Sequence, residues 1–376
     1  MIRITRRPGG AACVLALALG CRERARSNVS ASPTGEGAGA ALITEASGRA
    51  AHTATTLGSG EVFVAGGCVT DGCSTASAET FIVAADGRSI NRGPALAEAR
   101  DAHTATQVEG GLVVLTGGFA AEGTAPLASV EVFDERARTV STRAQLATGR
   151  GGHIAEAIGP KRILVVGGWI GPRRYTASSE IVDLESGEVR GAPPLPIAVD
   201  GHDSARLRDG RVLVTGGQTR PGLGSARAFL FDPAAMTWSE VASMQTPRFK
   251  HTSVVLANGE VLVIGGTPDD RERLLTTEVF SPSTNTFRPG PRLSEPRYKL
   301  RGGAALTADG RVIIGGGGRT VEILDVDSGT SRVMAEASVR GSFATVSILD
   351  GGKALFVLGG YDDKIALRRT SIRVAL

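Results

Sequence analysis

A seven-bladed β-propeller of four-stranded antiparallel blades, an all-β fold, is predicted by three features of the sequence. The first is a spacing. His52, His103, His153, His202 and His251 each lie 14 residues before a Gly-Gly pair, and those pairs begin at Gly66, Gly117, Gly167, Gly216 and Gly265. The second is the content of each interval: two short β-branched and apolar runs around a turn dipeptide, such as Asn258-Gly259. The third is a motif later in the unit, seen as Glu79-x-Phe81, Glu131-x-Phe133, Glu180-x-Val182, Glu278-x-Phe280 and Glu322-x-Leu324. Two degenerate copies follow, with glycines at Gly315 to Gly318 and at Gly359-Gly360, which brings the units to seven.

One unit shows why each element forms. His251 to Leu256 and Val261 to Ile264 are β-branched and apolar, and Asn258-Gly259 takes positive φ cheaply, as a tight hairpin turn requires. The glycine pair that follows permits a backbone shape or a close approach that a Cβ would block. A polar loop leads to a third strand, Thr277 to Ser281. Turn chemistry at Pro282 to Asn285 precedes a fourth, Thr286 to Arg288. Four short strands in about 50 residues is the size of one propeller blade. Copies six and seven lack the histidine and carry Arg301 and Phe343 near its position.

The ends of the repeat array predict how the ring closes. Unit seven offers three strands, Phe343 to Leu349, Ala354 to Leu358 and Ser371 to Ala375. Leu42-Ile43-Thr44-Glu45 precedes the first repeat and has no unit of its own, so it is expected to complete blade seven. Closure of this kind removes open sheet edges. Residues 42–376 are read as the propeller.

Residues 1–20 read as a signal peptide. Arg3, Arg6 and Arg7 precede a short apolar core, Ala11 to Leu19, too short to span a bilayer. Ala18-Leu19-Gly20-Cys21 reads as a bacterial lipobox with Cys21 as the lipidated residue; the alternative is ordinary cleavage and secretion. Residues 21–41, rich in Ser, Gly, Ala and Pro, read as a flexible tether. The expected location is therefore outside the cytoplasm, on a membrane-anchored lipoprotein of the outer membrane or facing the periplasm, with the membrane touched only through lipid. The chain has 42 Lys+Arg against 38 Asp+Glu, and three of the basic residues lie in the signal segment. No basic stripe interleaved with aromatics appears, which argues against nucleic-acid binding. Of four cysteines, Cys13 lies in the signal segment and Cys21 in the lipobox. Cys68 and Cys73 share one short loop and are expected to form a disulfide in an exported protein.

The repeated Arg-x-x-His, turn and Gly-Gly landmarks resemble the kelch family of β-propellers, especially its bacterial secreted form, over residues 42 to 376. The outer-strand tryptophan of that family survives only as Trp238. The resemblance implies a rigid scaffold whose functions range from protein binding to enzymes such as galactose oxidase, whose copper site uses two tyrosines, two histidines and a tyrosine–cysteine crosslink. This chain has three tyrosines, and Cys68 and Cys73 sit together in one loop. That departs from the oxidase pattern, while sialic-acid mutarotase activity, also found on such propellers, stays open.

The five histidines occupy one repeat position, so symmetry spreads them around a ring instead of converging them on one point. Each is expected beside its own Gly-Gly, bonded to groups that would otherwise be buried unpaired. Arg49, Arg100, Arg150 and Arg248 with the repeated glutamates are expected to form structural ion pairs. No catalytic motif, metal site or cofactor is expected; Asp269-Asp270 and Asp362-Asp363 lack calcium-loop spacing. The variable loops after the glycine pairs are the better binding candidates: Trp169, Arg173, Arg174, Tyr175, Asp269, Asp270, Arg271, Tyr361 and Asp362. The function expected is a non-catalytic binding or scaffolding propeller, a monomer tethered to the cell envelope and recognising an envelope protein or a glycan through those loops. The alternative is a carbohydrate-acting enzyme on the same frame.

Overall fold

A computed structural model of the chain describes residues 41–44, 48–121, 125–336 and 341–376. The signal segment, Cys21 and the tether up to residue 40 lie outside the described residues. The strands form seven four-stranded antiparallel sheets, each one blade, and two small hairpins. Blade two is representative, with Thr104–Val108, Leu112–Thr116, Ser129–Asp134 and Thr139–Gln145 paired in order. In blade five the strands observed are Thr252–Val255, Val261–Ile264, Thr277–Ser281 and Thr286–Pro289, within a residue or two of the expected runs. The first strands of all seven blades neighbour one another in an unbroken cycle, which makes them the wall of the central axis. The fourth strands lie outermost and are largely exposed.

Burial follows the two-residue period of a strand covered on both faces. In blade two, Val113 and Leu115 pack with Phe63 and Phe133 against blade one. Val114 on the opposite face packs with Val130, Val132, Ile163 and Val165 against blade three. Similar clusters fill every other interface between neighbouring blades, including the one between blades seven and one. The low aromatic content is thus made good by aliphatic side chains. Trp238 packs onto Phe231 and donates its indole N–H to the Pro193 carbonyl of blade three at 2.8 Å.

The ring closes as its termini imply. Ala41–Thr44 pairs antiparallel with Thr370–Ala375 and is the fourth strand of blade seven. A second device closes the same seam on one face. Cys68 and Cys73 are joined by a disulfide, and Cys68 is buried with Ala50, Tyr361 and Leu367, which come from both sides of the seam. Removing residues 41–44 leaves the strand Thr370–Ala375 unpaired along one edge, and is expected to lower the melting temperature by roughly 5 °C or more. An unchanged melting temperature in calorimetry would show that this strand does not carry the closure.

The landmark residues connect neighbouring blades through one repeated joint. The second glycine of each pair donates its N–H to the carbonyl three residues before the next blade's histidine position. The series runs Gly67 to Arg100, Gly118 to Arg150, Gly168 to Val199, Gly217 to Arg248, Gly266 to Arg297, Gly317 to Gly341 and Gly360 to Arg49. Seven such bonds close the circle. Gly117 and Gly118 show why both must be glycine. Both have positive φ. A Cβ on Gly118 would lie 2.9 Å from the Cβ of His103, its own blade's histidine, and one on Gly117 would lie 2.8 Å from the imidazole of His153 in the next blade.

Candidate binding site at the axial mouth

The histidine at each joint starts beside its own blade's glycine pair, as its spacing implies. Its ring then reaches into the preceding blade and bonds there. His103 Nε2 meets the Thr53 hydroxyl at 3.0 Å, His153 meets Thr116 at 3.0 Å, His251 meets Thr215 at 2.9 Å, and His52 meets Thr345 of blade seven at 2.8 Å. His202 instead bonds the Val166 carbonyl at 3.2 Å. Burial first, and then nearby arginine charge, holds all five imidazoles neutral; His52 and His202 are pushed down to about 3. They join blades.

In blades six and seven the residues at this joint are Leu300 and Ala344, not the neighbouring Arg301 and Phe343. Leu300 fills the space beside Gly265 that an imidazole fills beside Gly117, and Ala344 lies against Gly316 and Gly360. The interval from Leu300 to Gly316 is two residues longer than that from His251 to Gly265, and the excess is Arg301-Gly302.

The arginines lie behind the joint in a buried layer. Arg100 pairs with Glu131 at 2.5 Å, Arg150 with Glu180 at 2.5 Å, Arg248 with Glu278 at 2.7 Å, and Arg297 with Glu322 at 2.6 Å. Each guanidinium also donates to the carbonyl of a glycine in its own blade's pair, and each carboxylate accepts from the backbone of the connector entering the blade. Blade one departs from this pattern. The register expected from Glu79-x-Phe81 is shifted by two residues, because Phe81, not Glu79, lies opposite Val64 as Glu131 lies opposite Leu115. The loop after Gly66, which holds the disulfide, supplies the extra length. Arg49 therefore stacks over the Phe81 ring and keeps only a longer contact, 3.7 Å, to a partly exposed Glu79. In blades four and seven the pair is gone on both sides: Val199 and Phe229 stand in one, Gly341 and Ile372 in the other.

The joint or the buried pair thus recurs in most blades, and the chain varies more freely at the residue just before the histidine position. Ala51, Ala102, Gly152, Gly201, Lys250, Lys299 and Phe343 all have positive φ. Backbone bonds between neighbouring blades accompany this conformation around most of the axis. Ala102 N–H donates to Ala51, Gly152 to Ala102, Gly201 to Gly152, Lys250 to Gly201, and Phe343 to Lys299, at 2.8 to 3.2 Å. The left-handed conformation costs a non-glycine residue roughly 1–2 kcal/mol, and here five non-glycine residues hold it at equivalent positions. Four of the seven positions are small and three are large, and that asymmetry hollows out one side of the mouth.

The hollow is a cavity of about 340 Å³ at the axis. Phe119, Trp169 and Phe343 give it aromatic walls, with Phe119 and Trp169 in an edge-to-face pair at 5.1 Å. Phe119 lies so close over Gly151 that a Cβ there would strike its ring. Lys250, Arg301 and Asp200 are its charged groups. Asp200 accepts from the Gln218 side chain at 2.8 Å, and burial raises its pKa. Lys250 is paired with Asp270 at 2.5 Å. Arg301 reaches across the axis from blade six to the carbonyls of Gly152, at 3.4 Å, and His202, at 3.2 Å. It thereby divides the mouth from a second chamber of about 280 Å³ that continues along the first strands. That chamber holds Glu156 and Asp203, whose carboxyls burial raises to about 7 and about 6.

The loop residues singled out by their chemistry divide into three groups. Trp169 is in the mouth wall. Asp270, Tyr175 and Tyr361 stand behind it. Asp270 holds Lys250, and Tyr175 pairs across a small hairpin with Trp169, close enough to Asp200 and Asp270 to feel their charge. Tyr361 is buried and accepts a 2.7 Å bond from Lys299, whose pKa burial lowers to about 8. Asp269 and Asp362 accept backbone N–H groups of their own turns, and Arg173, Arg174 and Arg271 are exposed away from the cavity lining. The residues that reasoning from loops did not find are Phe119, Asp200 and Lys250, together with the roles of Arg301 and Phe343. For Lys250 and Phe343 the signal was present one residue before the joint, where the repeat stops repeating; Phe119, Asp200 and Arg301 had no such marker. No family model matches the chain, and no curated protein matches it.

Proposed function

We propose that this protein is a non-catalytic binding propeller of the cell envelope that recognises a partner at the axial mouth. The observation that carries this reading is where the repeat symmetry breaks. The joints and the buried layer are repeated in most blades, whereas the residues that ring one end of the axis differ from blade to blade. A concave, mostly apolar pocket with a few polar groups is the form a ligand site takes. The five imidazoles favour binding over catalysis, since each is neutral and its Nε2 is bonded within the fold. The predominance of aromatic and small side chains favours an apolar group presented by a protein partner over a polyhydroxylated glycan. The lipobox at Cys21 and the tether behind it are the reason for placing the protein on the envelope.

The test is a thermal-shift screen of the purified protein against small acids, sugars and short peptides, repeated with Trp169→Ala. Compounds that raise the melting temperature are expected to lose at least half of their effect in the variant and to be recovered chemically unchanged. Stabilisation that ignores the substitution at Trp169 would place the site elsewhere, and conversion of the compound would make the protein an enzyme.

A further inference from the structure

The five fully buried arginines and Arg301 are treated differently by the fold. Four of the five have a glutamate at 2.5 to 2.7 Å, and Arg49 has Glu79 at 3.7 Å and an aromatic ring. Arg301 has no carboxylate within 4.0 Å among the described residues. One of its terminal nitrogens donates to two carbonyls, at 3.2 and 3.4 Å, and these are its hydrogen bonds among the described residues. It arrives on the two-residue insertion, so no strand register obliges it to be there. It is partly buried, at the boundary of both axial chambers. A guanidinium presents five N–H donors in a planar fork suited to a carboxylate. A buried or half-buried charge without a counter-ion is costly, and an anionic ligand would remove that cost.

We infer that the mouth binds a single carboxylate carried on an apolar or aromatic group, with the carboxylate on Arg301 and the apolar group between Phe119, Trp169 and Phe343. This inference rests on the mouth being the binding site and adds the chemistry of what enters. Two features set the charge. Asp270 already holds Lys250, and Asp200 and Asp203 act on Arg301 only from beyond 4.0 Å, so among the described residues Arg301 is the cation of the lining left without a carboxylate in contact, and it offers a place for one added negative charge. A phosphate dianion would crowd Asp200 and leave the aromatic walls uncovered. Two sources share this chemistry: a free hydrophobic monocarboxylic acid, and the C-terminus of a protein partner ending in an apolar residue.

The experiment is calorimetric titration of the purified protein with 3-phenylpropionate, with its neutral amide, and with a short peptide ending in phenylalanine, free or amidated at its C-terminus. Charge-assisted, two-pronged hydrogen bonding is worth at least a tenfold preference for acid over amide. That preference is expected to vanish in Arg301→Gln and to survive in part in Arg301→Lys. Tighter binding of the free peptide than of phenylpropionate identifies a partner's C-terminus as the source, and the reverse order identifies a small acid. Equal binding of acid and amide, no binding of any probe at millimolar concentration, or an acid preference unchanged in Arg301→Gln would overturn the inference. Trp169→Ala separates the two layers of argument. If it weakens a probe that ignores Arg301, the mouth stands and the anion chemistry falls; if neither substitution matters to a probe that binds, both fall. Should Arg301→Gln fail to fold, the acid and amide comparison on the unaltered protein, with Arg301→Lys, still decides.

Discussion

Glu131→Ala is expected to destabilise the propeller by about 3–5 kcal/mol, the cost of leaving a buried charge without its partner. The Glu131 carboxylate holds the fully buried Arg100 guanidinium at 2.5 Å and accepts N–H groups from Ala97 and Glu98 on the connector from blade one. Its removal leaves Arg100 with only the longer carboxylate contact, 3.7 Å, to the exposed Glu98, between interfaces filled with apolar side chains. The pair itself is not indispensable, because a well-packed apolar pair of similar volume can replace a buried ion pair at little or no cost. The chain already contains that replacement. In blade four Val199 and Phe229 stand where Arg100 and Glu131 stand in blade two, and both are fully buried in the cluster between blades three and four. The double substitution Arg100→Val with Glu131→Phe is therefore expected to recover most of what Glu131→Ala loses. Urea titration of the three proteins checks this. A double variant no better than the single one would mean that the arginine, not charge balance, maintains the joint.

Lowering the pH from 8 to 5.5 is expected to cost about 4 kcal/mol of stability. The five joint histidines are held neutral well below their ordinary value near 6.5. Below that value the unfolded chain takes up protons that the folded chain refuses, so stability is present above about 6.5 and drains away as the pH falls. At pH 5.5 each histidine accounts for about 1.4 kcal/mol, or about 7 kcal/mol for all five. Glu156 and Asp203 act in the opposite sense. Their carboxyls, raised to about 7 and about 6, take up protons in the folded state before the unfolded one and return about 3 kcal/mol over the same interval. Urea unfolding at the two pH values measures the net change, and His103→Gln is expected to make the dependence shallower by up to one proton. Stability that is flat or rises toward pH 5.5 would show that the imidazoles are not neutral in the fold.

Most of the architecture was legible because it repeats. The spacing from histidine to glycine pair reports the length of one hairpin. The unmatched Leu42 to Thr44 segment reports the missing strand of blade seven, and both were found in those places. Two departures from the repeat have one cause, a change in length inside a unit. The disulfide loop shifted the Glu79 register by two, and the insertion Arg301-Gly302 put Arg301 near the histidine position while Leu300 fills the joint. The site was less legible for a different reason. Loops look like binding elements because they vary, yet Asp269, Asp362 and Arg271 vary at solvated turns. The cavity is lined by the strained residue one place before six of the seven joints, together with Phe119 and Trp169 at the starts of two loops, and the backbone bonds that link those strained residues about the axis are not revealed by any single unit.

We propose one end of the axis as a binding mouth floored by Arg301. Anomalous diffraction from crystals soaked in 4-iodobenzoate addresses it most directly, because the iodine and the carboxylate mark the two ends of the ligand. The expected result is an iodine peak between Phe119, Trp169 and Phe343 with the carboxylate against the Arg301 guanidinium. A mouth without iodine in crystals that carry the compound at other surfaces would contradict the account.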